Sequence, residues 1–247
     1  MELLWWIKLE VTNYLLGYEN LKIIQNTTMF NFSLDSVLLP NFITIGNSIT
    51  KILDIGTGNA PIPLILSTKT KAKIIGVEIQ KDVARLAEKS VKINKLEKQI
   101  EIINADIKEI KDNFLANSFD IITCNPPFFE VQADSKLNFS TYKTVARHEI
   151  CLNLDEICHI SRKLLKNNGI IGIVHRPNRL TDLLAKMREY NLEPKKIQFV
   201  HPRPDKEANI VLIEGRLNGK KGLKIMPPLI SHEKDGSYTK AVQKFFK

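Results

Sequence analysis

The stretch KILDIGTGNAPIPLILST, residues 51–68, indicates how this chain folds. Its first five residues are apolar enough to form a buried strand, and the turn GTGN follows them directly. The residues from about Ala60 to Thr68 predict a helix, and Pro61 suits its first turn, where a missing N–H costs nothing. A strand that leads through a glycine turn into a helix is the repeating unit of α/β domains.

The same alternation of strands and helices continues to Leu217. Further strands are predicted at 73–78, 100–105, 119–124, 169–175, 195–200 and 208–217, and further helices at 81–94, 154–168 and 180–191. We expect the helix that begins at Leu154 to stop at Gly169. The last two strands are joined by a loop too short for a crossover helix, so they should pair antiparallel. The pattern predicts an α/β fold with a mostly parallel, seven-stranded sheet, an antiparallel last strand and helices on both faces.

Three regions are expected along the chain. Residues 1–50 contain a short β segment and a helix capped by Ser33, which we interpret as an N-terminal extension or lid. We expect residues 51–217 to form the main α/β domain and residues 218–247 to form a basic segment packed on it. The sequence contains no internal repeat and no low-complexity stretch.

The positive charge of the chain is concentrated near its C-terminus. The net charge is +9, and residues 195–247 alone contribute twelve Lys or Arg against five Asp or Glu. Such clustering favours a polyanionic partner, usually nucleic acid. The apolar runs are too short to span a bilayer, no signal-peptide pattern is present, and the three cysteines form no CxxC or disulfide framework. These features favour a reduced, cytoplasmic protein without a membrane partner.

Acidic residues and glycines follow the first three predicted core strands, where parallel sheets bind ligands. Asp54, Gly56 and Gly58 follow the first strand, and the glycines allow a ligand to approach the backbone. Glu78 follows the second strand and is suited to ribose hydroxyls, whereas Asp106 follows the third and could accept from an adenine amino group. Together these corners predict a nucleoside pocket.

The ligand of this predicted pocket is not expected to be a dinucleotide. The GxGxxG pattern of dinucleotide sites lacks its third glycine here, because Pro61 occupies that position. The acids before and after the glycines suit a ligand without phosphates. S-adenosylmethionine, a sulfonium compound, is such a ligand.

The segment CNPPFFE, residues 124–130, follows the fourth strand with an amide, two prolines and two aromatic rings. The side-chain oxygen of Asn125 can accept a hydrogen bond from an amino group, and the carbonyl of Pro126 can accept another. Two such bonds would free the lone pair of an exocyclic purine amine. Phe128 offers a face on which a flat base can stack, so the segment predicts a pocket for an extruded base.

The motifs DIGTG, GVEIQ, NAD and NPPF, in this order, resemble the class I S-adenosylmethionine-dependent methyltransferases with an NPP[YF] motif. That resemblance covers residues 51–217. The segments 16–42, 146–149, 175–180 and 226–242 are similar to bacterial methyltransferases that modify adenine N6 next to the anticodon of valine tRNA. The chain departs from the family pattern in two places: Asn59 and Ala60 replace glycine or serine-glycine, and Phe128 stands where many relatives have tyrosine.

The resemblance implies a Rossmann-like class I methyltransferase fold and a role for each motif. It implies that Asn125, Pro126, Pro127 and Phe128 hold the target base. The residues that would contact the methyl donor are Asp54, Gly56, Gly58, Glu78 and Asp106, with Ile79 and Ile107 beside the adenine ring. The resemblance also places the helix in FSLDSVLL, residues 32–39, over the methionine end, where Asp35 could meet the amino group of the donor or instead cap the helix.

Basic residues outside the pocket are candidates for contacts with tRNA. They are Arg147 and His148 in the segment ARHE, Arg203 and Lys206 in the loop HPRPDKE, and Lys220, Lys221 and Lys224 in the loop that follows the last core strand. The histidines show no metal-ligand spacing, so no metal site is predicted. We expect a monomer or a weak homodimer.

Other functions share some of these features. A ribosomal RNA guanine-N2 methyltransferase or a protein glutamine-N5 methyltransferase would also carry NPP[YF]. An NAD-dependent oxidoreductase is disfavoured by the absent third glycine, and a non-catalytic RNA-binding protein is disfavoured by the intact Asn125. The sequence favours an S-adenosylmethionine-dependent tRNA adenine-N6 methyltransferase.

Overall fold

The computed structural model describes residues 10–28, 32–126 and 152–245. The candidate residues Pro127, Phe128, Arg147 and His148 lie outside the described residues. The remaining candidate residues are all within them.

Strands and helices alternate through the middle of the described chain, and consecutive strands occur near both ends. The strands are β1 (Glu10–Leu15), β2 (Tyr18–Asn26), β3 (Lys51–Ile55), β4 (Lys73–Glu78), β5 (Ile100–Asn104), β6 (Phe119–Cys124), β7 (Leu165–His175), β8 (Leu192–His201), β9 (Ile210–Leu217), β10 (Lys224–Ile225) and β11 (Leu229–Ile230). The helices are α1 (Leu34–Phe42), α2 (Pro61–Ser67), α3 (Lys81–Ile93), α4 (Ile107–Ile110), α5 (Leu154–Leu164), α6 (Leu180–Glu189) and α7 (Lys240–Gln243). No helix in these ranges is long and apolar enough to cross a bilayer.

One central sheet carries the fold, with its strands in the order β10-β8-β9-β7-β6-β3-β4-β5 and with β11 also paired to β8. Only β9 runs antiparallel to its neighbours, β7 and β8. This arrangement confirms the mostly parallel α/β sheet with an antiparallel last core strand. The described sheet has nine strands and not seven, because the two-residue strands β10 and β11 pair with the outer edge of β8.

The core lies on both faces of the sheet. One apolar cluster joins α1, α2 and the paired strands β1 and β2 to one face, with Leu39, Leu64 and Ile74 fully buried. The other joins α5 and α6 to the opposite face, with Phe119 and Ile157 fully buried. Burial on both faces explains why the central strands are continuous apolar runs such as FDIITC, which do not alternate between apolar and polar residues.

The helix α5 is shorter than predicted. It ends at Leu164 and not at residue 168, because Leu165 pairs with Phe119 and begins β7. The residue with left-handed backbone is Asn168, at a φ of 61°. Gly169 is not the helix stop; a Cβ there would lie 2.8 Å from the carbonyl oxygen of Lys166, so glycine permits a close backbone approach.

The N-terminal region contains a hairpin of which only the second strand was predicted. Strand β1 pairs antiparallel with β2, and the hairpin packs on α3. The backbone N–H of Ile24 donates to the hydroxyl of Ser90, 2.9 Å away. Ser33 occupies the N-cap position of α1, as expected, but its side chain makes no capping hydrogen bond to the backbone of the helix.

Candidate active site

The sheet register brings the four predicted corners side by side. Cys124 pairs with Ile55, Ile55 with Val77, and Val77 with Ile103, so these residues form one row across β6, β3, β4 and β5. Neighbouring strands in a sheet are about 4.8 Å apart. The segments that leave these strands at their carboxyl ends therefore lie next to each other.

The glycine turn after β3 leaves open space beside its backbone. Gly56 and Gly58 have φ angles of 68° and 58°, and a Cβ on either would meet nothing within 4 Å. The backbone N–H groups of Gly56 and Thr57 both donate to the carbonyl of Val77. Ala60 also has left-handed backbone, at a φ of 70°, although it lacks the freedom of glycine. The turn is therefore held in a conformation that most residues avoid.

Asp54 stabilises the glycine turn through a hydrogen bond from Thr57. Its side chain is fully buried, and its two oxygens accept hydrogen bonds from Thr57 Oγ1 at 2.7 Å and Thr123 Oγ1 at 2.6 Å. Burial outweighs these hydrogen bonds and, together with the nearby charge of Glu78, raises the pKa of Asp54 to about 7. The geometry favours a positioning role for Asp54 over direct contact with a ligand.

Glu78 lies at the end of β4 and faces the glycine turn. One oxygen accepts from the N–H of Gly58 at 3.0 Å, and the other accepts from the N–H of Gln80 at 2.9 Å. Burial raises the pKa of Glu78, and these backbone bonds oppose that shift. The next residue, Ile79, is 41% exposed, so an apolar surface lies beside the acid.

The segment that follows β5 is hydrogen-bonded to the end of β4. The side-chain amide of Asn104 and the N–H of Ala105 both donate to the carbonyl of Glu78, at 2.9 Å and 3.1 Å. Asp106 caps α4 by accepting from the N–H of Lys108 at 2.9 Å, and Ile107 is buried in the core. The Asp106 carboxylate thus already has a structural partner within the chain.

Asn125 follows β6, and its side-chain amide has a hydrogen-bond partner for its nitrogen but none for its oxygen among the described residues. Its Nδ2 donates to the hydroxyl of Ser36 at 3.0 Å, across 89 residues of sequence. Its Oδ1 is buried, and within the described parts of the chain it accepts no hydrogen bond. Buried polar atoms are rarely left unsatisfied without a functional reason.

Helix α1 brings a second buried acid to the same end of the sheet. Asp35 is 5% exposed, and burial raises its pKa, whereas the charge of Arg176 and a hydrogen bond from Ser33 oppose that rise. Arg176 directly follows β7 and donates to the carbonyl of Asn209 at 2.8 Å. Asp35 is therefore placed beside a cation at the carboxyl end of β7.

The basic candidates fall into two groups. Arg203 and Lys206 are exposed in the loop that follows the carboxyl end of β8, at the same edge of the sheet as the glycine turn. Lys220, Lys221 and Lys224 are also exposed, but Lys220 accepts through its carbonyl from Lys195, near the amino end of β8. A strand rises about 20 Å from Lys195 to His201. The two groups therefore lie near opposite ends of β8.

Several residues at the site were not singled out from the sequence. Thr57 and Thr123 hold Asp54, Ser36 holds Asn125, and the side chain of Asn59 donates to the carbonyl of Ile24 in the hairpin at 3.2 Å. Thr57 and Asn59 lie inside the glycine motif and could have been considered. Nothing local in the sequence links Ser36 to Asn125. No group of three or more His, Cys, Asp or Glu suited to a metal ion occurs among residues 10–28, 32–126 and 152–245.

Comparison with known proteins agrees with this geometry. The family described as "Methyltransferase domain" matches residues 47–224. A tRNA1(Val) (adenine(37)-N6)-methyltransferase of Parabacteroides distasonis is 30% identical over 165 residues, which cover 66% of this chain and 68% of that protein. A protein of the same name from Cytophaga hutchinsonii is 27% identical over 209 residues, covering 80% of this chain and 86% of that protein.

Solved structures share the fold at low identity. A predicted O-methyltransferase of Agrobacterium tumefaciens superposes with a TM-score of 0.68 at 19% identity, covering 85% of this chain and 94% of that one. A tRNA m1G37 methyltransferase of M. jannaschii superposes with a TM-score of 0.59 at 14% identity, covering 86% of this chain and 55% of that one. The family expected from the sequence motifs is confirmed: the chain belongs to the methyltransferase-domain family and, within it, to the tRNA1(Val) (adenine(37)-N6)-methyltransferase family.

Proposed function

We propose that this protein transfers a methyl group from S-adenosylmethionine to the N6 amino group of an adenine in tRNA, at position 37 next to the anticodon of valine tRNA. The names of the relatives support the tRNA substrate. The observation that carries the proposal is the buried Oδ1 of Asn125, which accepts no hydrogen bond from the described residues and lies one strand from the glycine turn.

The residues around the glycine turn fit the methyl donor. Gly56 and Gly58 leave room beside their backbone, and the exposed side of Ile79 offers an apolar contact for an adenine ring. A carboxylate oxygen has about two lone pairs, so Glu78 can accept from ribose hydroxyls while it keeps its two backbone bonds. Asp35 would meet the amino group of the methionine part, and Asp54 would keep the turn in shape. When bound, the donor supplies an electrophilic methyl group.

Asn125 then acts on the target amine. An adenine amino group is a poor nucleophile because its lone pair is delocalised into the ring. Asn125 Oδ1 would accept one N–H, and the carbonyl of Pro126 would accept the other, which favours a pyramidal nitrogen with its lone pair free. Asn125 is neutral and cannot serve as a general base, so its contribution is to hold and polarise the amine. The base must leave its stack to reach this position.

The decisive experiment compares Asn125→Ala with the wild type on unmodified valine tRNA. The rate of methyl transfer from the bound complex should fall about 100- to 1000-fold, as when one positioned polar contact to a reacting group is removed. The dissociation constant of S-adenosylhomocysteine should stay within about twofold by calorimetry. Asn167→Ala, which removes an exposed amide at the amino edge of the sheet, is the matched control and should keep full activity.

The modified nucleoside identifies the substrate. Mass spectrometry of digested tRNA should show N6-methyladenosine at position 37. Methylation of guanine or of a protein glutamine would contradict the proposed substrate and support one of the related enzymes. Near-normal turnover by Asn125→Ala would contradict the role of the amide, and binding of NAD without binding of S-adenosylhomocysteine would contradict the donor.

A further inference from the structure

Ser36 is the residue that holds the amide of Asn125 in the described structure. It lies on α1, it is 5% exposed, and its Oγ is 3.0 Å from Asn125 Nδ2. The contact joins the N-terminal region to the end of β6, a part of the chain that the sequence motifs assign to the target base. The consequence is that the geometry of Asn125 depends on a helix outside the core motifs.

The orientation of an asparagine side chain decides what it offers to a substrate. Its oxygen accepts hydrogen bonds and its nitrogen donates them, and a half-turn about the Cβ–Cγ bond exchanges the two. An amine that must donate its N–H groups needs the oxygen. The observed orientation directs Nδ2 to the Ser36 hydroxyl and leaves Oδ1 without a partner among the described residues.

The serine hydroxyl gives the side-chain amide of Asn125 a fixed hydrogen-bond partner. With one N–H of Nδ2 bonded to Ser36, Oδ1 is left to accept a hydrogen bond from a substrate amine. Without the hydroxyl, the partly buried Nδ2 would lose its hydrogen-bond partner, and leaving such a donor unsatisfied is unfavourable. Rotated or mobile amides would then compete with the reactive one.

The position of Ser36 is itself well determined. Its neighbours Val37, Leu38 and Leu39 are buried in the core, and a Cβ on Gly172 of β7 would lie 2.5 Å from a side-chain atom of Ile43, just after the helix. Helix α1 thus lies very close to the sheet, and close-packed interiors allow little displacement. The close packing of α1 therefore fixes the position of the Ser36 hydroxyl beside Asn125.

We propose that Ser36 is a positioning residue for Asn125, holding its amide so that Oδ1 faces the target amine. The inference rests on the proposed function for its kinetic consequence, whereas the contact itself stands independently. It predicts that a residue of α1 affects the rate of methyl transfer through the amide of Asn125.

The kinetic test uses Ser36→Ala and Ser36→Thr under single-turnover conditions. Loss of one neutral hydrogen bond to the positioned amide should lower the transfer rate about 10-fold in Ser36→Ala. The dissociation constants of S-adenosylhomocysteine and tRNA should remain unchanged, and Ser36→Thr, which keeps a hydroxyl, should recover most of the rate. Ser67→Ala is the matched control, because Ser67 is also a buried helical serine but donates to the carbonyl of Leu64.

A double-mutant cycle separates positioning from general damage to the helix. In an Asn125→Ala background, Ser36→Ala should cause no further loss of rate, because the amide on which it acts is gone. An equal 10-fold loss in both backgrounds would overturn the inference and assign the effect to helix packing. Unchanged transfer by Ser36→Ala in the wild-type background would also overturn it.

A spectroscopic measurement keeps the proposal testable even if tRNA is not the substrate. The side-chain NH₂ resonances of Asn125, assigned by their loss in Asn125→Ala, should shift and exchange faster with solvent in Ser36→Ala but not in Ser67→Ala. Unperturbed resonances would contradict the contact. If these resonances respond in Ser36→Ala while the wild-type protein methylates no tRNA, the proposed function is contradicted and the Ser36 contact remains supported.

Discussion

At the scale of single residues, the buried acid Asp54 links stability to pH. Its pKa in the folded protein is about 7, raised from its ordinary value of 3.8 by burial despite the hydrogen bonds from Thr123 and Thr57. Between these two values the unfolded chain has released the proton and the folded chain still binds it. Stability must therefore fall as pH rises through this window, since the folded state binds more protons.

We expect Asp54→Asn to remove this part of the pH dependence. A pKa unit corresponds to about 1.4 kcal/mol, so the shift could account for up to about 4 kcal/mol of the decrease in unfolding free energy between pH 4 and pH 7. The asparagine still fits between the two threonine hydroxyls, which can accept as well as donate. Urea denaturation at several pH values measures the change, and identical pH profiles for the two proteins would contradict it.

Asp120 provides the control, because its shift has the opposite sign. Burial raises its pKa, but the ion pair with Lys166 and backbone bonds from Thr50 and Lys51 outweigh that and lower it to about 2. The stability that Asp120 contributes is fully present above about pH 4 and is lost as the pH falls toward 2. Asp120→Asn should therefore leave the slope between pH 4 and pH 7 unchanged.

At the scale of elements, Glu214 anchors the segment that follows α1 to the sheet. Its carboxylate on β9 is 4% exposed, accepts from the N–H of Thr44 at 2.7 Å and lies 3.0 Å from the ammonium group of Lys196. Lys196 in turn donates to the carbonyl of Phe42, the last residue of α1. One acid thus joins two strands to the end of the helix that carries Ser36.

We expect Glu214→Ala to lower the free energy of unfolding by about 2–4 kcal/mol, because the N–H of Thr44 and a largely buried ammonium group lose their acceptor. The matched control is Glu193→Ala on the adjacent strand, whose ion pair with Arg188 is 3.3 Å long and partly exposed. Such pairs contribute about 0–1 kcal/mol. Chemical denaturation measures the free energy of unfolding of both variants. An equal decrease in the two would show that the contacts of Glu214 stabilise the protein no more than the partly exposed ion pair of Glu193 does.

At the scale of the whole molecule, the carboxyl edge of the sheet carries both the candidate site residues and a set of cations. Arg176, Arg203 and Lys206 follow the carboxyl ends of β7 and β8, whereas Lys220 and Lys221 lie near the amino end of β8. A tRNA whose extruded base reaches Asn125 must cover the carboxyl edge first. We therefore propose that Arg203 and Lys206 carry more of the phosphate contacts than the C-terminal lysines.

Salt titration of tRNA binding distinguishes the two groups. Each neutralised phosphate adds about 0.7–0.9 to the slope of log K against log salt concentration, so Arg203→Gln with Lys206→Gln should reduce that slope by about 1–2. Lys220→Gln with Lys221→Gln removes the same charge and should change it less. The reverse order would place the main RNA surface on the C-terminal segment. Donor affinity should be equal in all variants.

Local patterns in the sequence determined the elements and the motif positions. The run FDIITC is observed as β6 at the predicted bounds, because a strand buried on both faces is a continuous apolar run whatever its neighbours. The glycines at 56 and 58 lie at the predicted turn because left-handed backbone strongly selects glycine. Where an element's limit depends on a distant partner, the prediction was wrong, as at Leu164, where pairing of Leu165 with Phe119 ends α5.

The tertiary structure alone decided which side chains meet. Thr123 reaches Asp54 across 69 residues, and Ser36 reaches Asn125 across 89, so neither contact leaves a local signal in the chain. The sequence singled out Asp54 as a residue facing the donor, but only packing shows that its oxygens are already engaged. Local residue patterns determine strands, helices and turns because backbone preferences are local, whereas the hydrogen-bond partners of buried groups depend on how those elements pack.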